Sequence, residues 1–83
     1  MFLASGAQLR AARALVRMDQ TKLAELAKVS PVTVGKLEGT DGPLNARTAT
    51  LRAIQNALEA AGVEFKPDGS VRLREQPAEA KAS

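Results

Sequence analysis

The sequence predicts a mainly α fold, four short helices followed by a C-terminal β-hairpin, and three features carry that prediction. Between Gln20 and Gly39 (QTKLAELAKVSPVTVGKLEG) two helical patterns are separated by a break too small to be a free loop. Leu51, Ile54, Ala57, Leu58 and Ala61 then form a longer apolar stripe at helical spacing. After Gly62 the period falls to two, in Val63-Glu64-Phe65-Lys66 and Val71-Arg72-Leu73-Arg74, on either side of Pro67-Asp68-Gly69-Ser70.

The first helix opens at Ser5, which makes a capping box with Gln8 three residues on, and is expected to run to about Arg17. Leu9, Ala12 and Val16 form its buried face, and Arg10, Arg13 and Arg17 line an adjoining row. For Arg10 and Arg17 that row reads equally as a solvated basic face and as contacts to phosphate. Asp19 caps the second helix, with Leu23, Ala24, Leu26 and Ala27 as its apolar face and an end near Ala27 or Lys28. Gln20 stands at its N-terminus, where unpaired N–H groups and the helix dipole favour an anion. Ser30 is a strong N-cap for the third helix, and Pro31 suits its first position, where a missing N–H is no loss. Val34 and Leu37 bury it.

The loop Gly39-Thr40-Asp41-Gly42-Pro43 leads to a fourth helix that starts between Asn45 and Thr48 and stops at Gly62. Val63 and Phe65 are expected to share one face of the hairpin with Val71 and Leu73. An isolated hairpin is at best marginally stable, so this one must lie on the helices, pair with another strand, or both. Residues 76–83, rich in Ala and charge, are expected to be a disordered tail. The expected organisation is a helical domain over 5–62 and a hairpin over 63–75, with the two-helix unit at 20–39.

The third helix is chemically odd. Pro31, Val32 and Thr33 lie in its first turn and Gly35 in its middle, although Val and Thr are poor helix formers and Gly costs about 1 kcal/mol against Ala. Only Val34 and Leu37 serve a core. A helix that lies in a DNA groove has this character, because a methyl group or a Gly admits close approach to base edges. On that reading Pro31, Val32, Thr33 and Lys36 face the bases. The alternative is a short packing helix with indifferent surface residues.

Gln20, Leu23-Ala24, Val29-Ser30, Val34 and Leu37-Glu38-Gly39 together resemble the lambda-repressor-like DNA-binding family, the Cro or XRE class of bacterial and phage regulators. Leu9-Arg10-Ala11-Ala12-Arg13 and the run from Ala57 to Val63 extend the likeness. The resemblance implies a helix-turn-helix domain whose recognition helix spans 31–38. It implies that Arg13 pairs with Glu38 as a structural ion pair, and that Gln20 holds a phosphate through its amide. Two residues depart from the family pattern. Asp19 places a carboxylate where a neutral Ser, Thr or Asn is usual, and Lys28 stands where a Gly usually supplies a positive φ. No fifth helix follows the fourth. Val63, Phe65, Val71 and Leu73 are therefore expected to form a dimer interface, with the fourth helix or Phe2-Leu3 as competing surfaces.

The 83 residues make one small domain, 45% apolar but with Phe2 and Phe65 as the only aromatics, which favours close-packed helices built from Ala and Leu. Without Cys or His, disulfides, Cys/His metal sites and His-based catalysis are excluded. There is also no Gly-rich phosphate loop or carboxylate cluster, so no enzyme, metal or cofactor is expected. No apolar run approaches the ~20 residues of a membrane span, and Met1-Phe2-Leu3 is too short for a signal peptide, so the expected compartment is the cytoplasm.

The net charge of +3 is unevenly placed: residues 5–47 hold seven basic and four acidic side chains, the rest five of each. That excess lies where a footprint on phosphate needs it. The expected function is a dimeric, sequence-specific DNA-binding transcription regulator. It would repress from a palindromic operator in double-stranded DNA, with its own promoter a candidate target and no small-molecule ligand. Arg10, Arg17, Gln20, Lys28, Asn45 and Arg47 are the expected contacts to the DNA backbone. The alternative is a protein-binding module, an antitoxin or antiactivator without base readout, favoured by Asp19, Asp41 and the apolar tip Pro31-Val32.

Overall fold

The first three helices each begin where a short polar side chain accepts from an otherwise unpaired backbone N–H. The computed structural model describes residues 3–40, 44 and 46–74. The Ser5 hydroxyl accepts from the Gln8 N–H at 3.2 Å and the Gln8 side chain accepts from the Ser5 N–H at 3.0 Å, closing the capping box at the start of α1 (Gly6–Leu15). Asp19 accepts from the Lys22 N–H at 2.7 Å to open α2 (Gln20–Ala27). Ser30 accepts from the Val32 N–H at 3.0 Å to open α3 (Pro31–Glu38), with Pro31 in the first turn. Helix α4 (Thr48–Ala60) starts inside the expected window, although Arg47 gives it no side-chain cap.

Helix α1 ends two residues before the expected Arg17. Arg17 adopts φ 54°, and the Met18 N–H donates to the Arg13 carbonyl at 3.0 Å while the Arg17 N–H donates to that of Ala14 at 3.2 Å. This is a Schellman cap, whose left-handed position usually holds Gly. Helix α2 ends in the same way. Lys28 has φ 60°, with the Val29 N–H on the Ala24 carbonyl at 2.9 Å and the Lys28 N–H on that of Glu25 at 3.3 Å. A left-handed conformation costs an L-residue about 1–2 kcal/mol. A cation near a helix C-terminus returns only about 0.3–1 kcal/mol of that.

After α4, Gly62 turns the chain at φ 113° into β1 (Val63–Phe65), which pairs antiparallel with β2 (Val71–Leu73). Val63 stands opposite Leu73, Glu64 opposite Arg72, and Phe65 opposite Val71. In the turn, Asp68 accepts from the Ser70 N–H at 2.9 Å and Gly69 takes φ 93°. The hairpin rests on the helices, β1 against α4 and β2 against α1. The Gln8 side-chain amide also donates to the Gly69 carbonyl at 2.7 Å.

Leu9 and Ala12 of α1, Leu23, Ala24 and Ala27 of α2, Val34 and Leu37 of α3, and Leu51, Ile54 and Leu58 of α4 close into one core. Leu3, Val63 and Phe65 complete it. Full burial of each large aliphatic side chain contributes about 1.5–3 kcal/mol.

Several expected placements are corrected. Leu26 is 47% exposed. At about 100° per residue Leu23, Ala24 and Ala27 share one arc, and Leu26 lies about 60° outside it. Val16 is half-buried because α1 has already ended, and Ala61 is exposed because it caps α4 instead of continuing its stripe. Val63 and Phe65 are buried in the protomer's own core, so their side chains are not available to a second subunit; Leu73, 49% exposed, is. Leu3, weighed as an interface residue, is buried too, its N–H donating to the Gln55 side chain at 3.0 Å. Phe2, Asp41 and the expected tail lie outside the described residues. Among the described residues no helix is long and apolar enough to cross a membrane.

Candidate functional site

Helix α3 is held by its last turn. Glu38 is 4% exposed, and Arg13 grips its carboxylate with two hydrogen bonds, Nε to Oε2 at 2.6 Å and Nη2 to Oε1 at 2.9 Å. The third guanidinium nitrogen of Arg13 donates to the Met18 carbonyl at 2.8 Å, which fixes the arginine to the α1–α2 turn. Gln20, at the start of α2, donates its amide to Glu38 Oε1 at 2.9 Å. Arg10 donates to the Glu38 backbone carbonyl. One carboxylate thus joins α1, α2 and α3.

Burial pushes the Glu38 carboxyl up. Hydrogen bonds from Arg13 and Gln20, with the charges of Arg13 and Arg10, outweigh it and hold the group below the ordinary carboxylate range. Among the described residues every buried side-chain polar atom has a partner.

Gly6 completes the grip, and the sequence reading missed it. A Cβ on Gly6 would stand 2.5 Å from the Leu37 carbonyl oxygen and against that of Thr40 as well. The first turn of α1 therefore packs directly on the C-terminal carbonyls of α3, where only a glycine fits. The available signal was a Gly in a helix's first turn with no turn function to explain it.

The opposite end of α3 faces outward. Val32 is 64% exposed, Pro31 is exposed and Thr33 is half-buried, while Lys36, in the last turn beside Glu38, is exposed as well. Gly35 is not required by packing, since a Cβ there would meet only Gln20 Oε1, at an ordinary 3.6 Å. Of the expected backbone contacts, Arg17, Lys28 and Arg47 are exposed, and Asn45 lies outside the described residues.

The other two are engaged within the protein. Arg10, which read equally as solvated or as a phosphate contact, bonds the end of α3. Gln20 gives one amide N–H to Glu38, and the second N–H of that amide is what remains for an outside acceptor.

An open hollow of about 400 Å³ lies on α4, lined by Thr48, Ala49, Arg52, Ala53 and Asn56. It holds no carboxylate and none of the residues gathered around α3. No group of three or more metal-ligating side chains occurs among the described residues. In comparison with known proteins, no family model and no curated protein matches the chain.

Proposed function

We propose that the chain is a sequence-specific, double-stranded-DNA-binding transcription regulator of the lambda-repressor-like class. It acts in the cytoplasm as a homodimeric repressor of a two-fold operator. The observation that supports this best is the division of labour along α3. Glu38 at its C-terminus is buried and tied to α1 and α2, while Val32, 64% exposed, projects from its first turn and Lys36, also exposed, from its last. An exposed Val in the first turn helps neither helix propensity nor the core. In the major groove it meets a thymine methyl, and Lys36 donates to a guanine edge.

Lys36→Ala is expected to lose about 1–3 kcal/mol on the cognate site and to relax preference at one base position. Binding isotherms on the duplex upstream of the gene and on a scrambled duplex, across a salt series, provide the check. Equal losses on both duplexes would remove Lys36 from the base-reading set. The protein-binding alternative is favoured by the exposed Leu26 and Val32, and it predicts no salt-dependent DNA binding at all.

The open edge of the hairpin supports the dimer. Hydrogen bonds from the Arg74 N–H to the Gly62 carbonyl and from the Lys66 N–H to that of Ser70 set the alternation, so Arg72 bonds inward to Glu64. Val71 and Leu73 turn their backbone groups to the free side of β2. Such an edge templates pairing with an identical strand, and two-fold symmetry makes the contact self-complementary. Leu73→Pro removes one outward donor. It should yield monomer by sedimentation with helical circular dichroism intact; a folded, dimeric variant would rule out strand pairing.

A further inference from the structure

Four described residues adopt a positive φ: Arg17 at 54°, Lys28 at 60°, Gly62 at 113° and Gly69 at 93°. In the hairpin half the chain uses glycine, the residue that takes this conformation without steric penalty. At the ends of α1 and α2 it uses the two long cations. Both side chains are exposed, and neither forms a hydrogen bond or ion pair with another described residue. The attraction of a cation to a helix C-terminus offsets only part of the left-handed penalty, and Gly or Asn would close either cap at lower cost. The backbone at both positions serves the caps, but a costly left-handed residue whose side chain gives the fold no contact points to a role for that side chain outside it.

The positions agree on what that is. Arg17 precedes α2 and Lys28 follows it, so the two cations bracket a helix of eight residues, about 12 Å long. That separation lets them take two different phosphates. Asp19, the acidic residue between Arg17 and α2, has its carboxylate committed to the Lys22 N–H at 2.7 Å.

We infer that Arg17 and Lys28 occupy left-handed cap positions as a pair of phosphate contacts, keeping charge toward the DNA backbone at the expense of stability. This rests on the DNA-binding reading above and names the residues that hold its backbone.

The test is Arg17→Gly, Lys28→Gly and the double variant, with Lys66→Gln in the hairpin as a control that removes the same charge elsewhere. Each glycine variant should melt no lower than wild type. Each should bind duplex DNA about eightfold more weakly per bound protomer at about 0.1 M salt, on cognate and scrambled sequence alike, with a salt slope smaller by about 0.9 per protomer. In the double variant the slope should fall by about twice that, and in Lys66→Gln it should stay unchanged.

A glycine variant that melts lower would show the side chain to serve the fold, and would overturn the assignment. Unchanged slopes in both glycine variants would overturn it while leaving DNA binding standing. A slope that falls equally in Lys66→Gln would reduce the effect to net charge and overturn it as well. Wild-type protein that leaves duplex DNA unbound at about 50 mM salt defeats the DNA-binding reading itself, and the phosphate assignment with it.

Discussion

Glu38→Ala is expected to lower the free energy of unfolding by about 3 kcal/mol at neutral pH, a large part of what a domain of this size possesses. The substitution strands the Arg13 guanidinium and the Gln20 amide, both of which donate to the carboxylate, and cuts the link among three helices. Arg13 remains partly solvated, which places the loss at the low end for a broken buried pair. Urea denaturation measures it, and a midpoint indistinguishable from wild type would refute the anchoring role.

The pH dependence carries a sign that can be checked. A carboxyl whose folded pKa is depressed contributes stability that is fully present above its ordinary value, near 4.3 for Glu. That contribution is lost as pH falls through the lower folded value. For Glu38 burial works against the depression, but the Arg13 and Gln20 hydrogen bonds and the neighbouring charges prevail. The gap in stability between wild type and Glu38→Gln should therefore be constant from neutral pH down to about 4.3 and narrow below it. A gap that stays constant to about pH 3 would mean that the carboxylate charge adds nothing.

Gly6→Ala should also destabilise, by about 3 kcal/mol, against the usual direction for a helical Gly. In an ordinary helix the exchange gains roughly 0.5–1 kcal/mol. Here the new methyl meets the backbone carbonyls of Leu37 and Thr40, and neither is the movable end of a side chain. To make room α1 must back away from α3, yet Arg10 and Arg13 of the same helix are bonded to Glu38. Overpacking of this kind costs about 1–3 kcal/mol, and disturbing the Glu38 cluster adds to it. Thermal or urea unfolding decides the matter. A variant as stable as wild type would mean that α1 and α3 are not so closely joined.

The elements themselves were legible because each depends on residues only a few positions apart. Ser5 with Gln8, Asp19 ahead of Gln20, and Ser30 before Pro31 mark three helix starts with groups that bond within one turn. Gly62, the period-two segments and the Pro67–Ser70 turn mark the hairpin as plainly. The end of α1 was not legible, because its Schellman cap is built on Arg17, a residue with no preference for the left-handed region. Lys28 stands in the same conformation, and the sequence pointed to it through the resemblance, at the place where a Gly is usual.

The sequence by itself determined the helices, the N-terminal caps of the first three, the hairpin and the basic bias of the first half, all of them local or summed properties of the chain. Which surfaces meet was decided only by the tertiary structure. The Arg13–Glu38 pair was expected from a resemblance, but Arg10 on the Glu38 carbonyl, Gly6 against Leu37 and Thr40, and Gln55 holding Leu3 were not. Nor was the turn of Val63 and Phe65 into their own core while Leu73 stays outside. The physical reason is the same in each case. A cap or a period is fixed by neighbours in sequence, whereas a close backbone approach or a buried polar bond depends on where two distant helices cross.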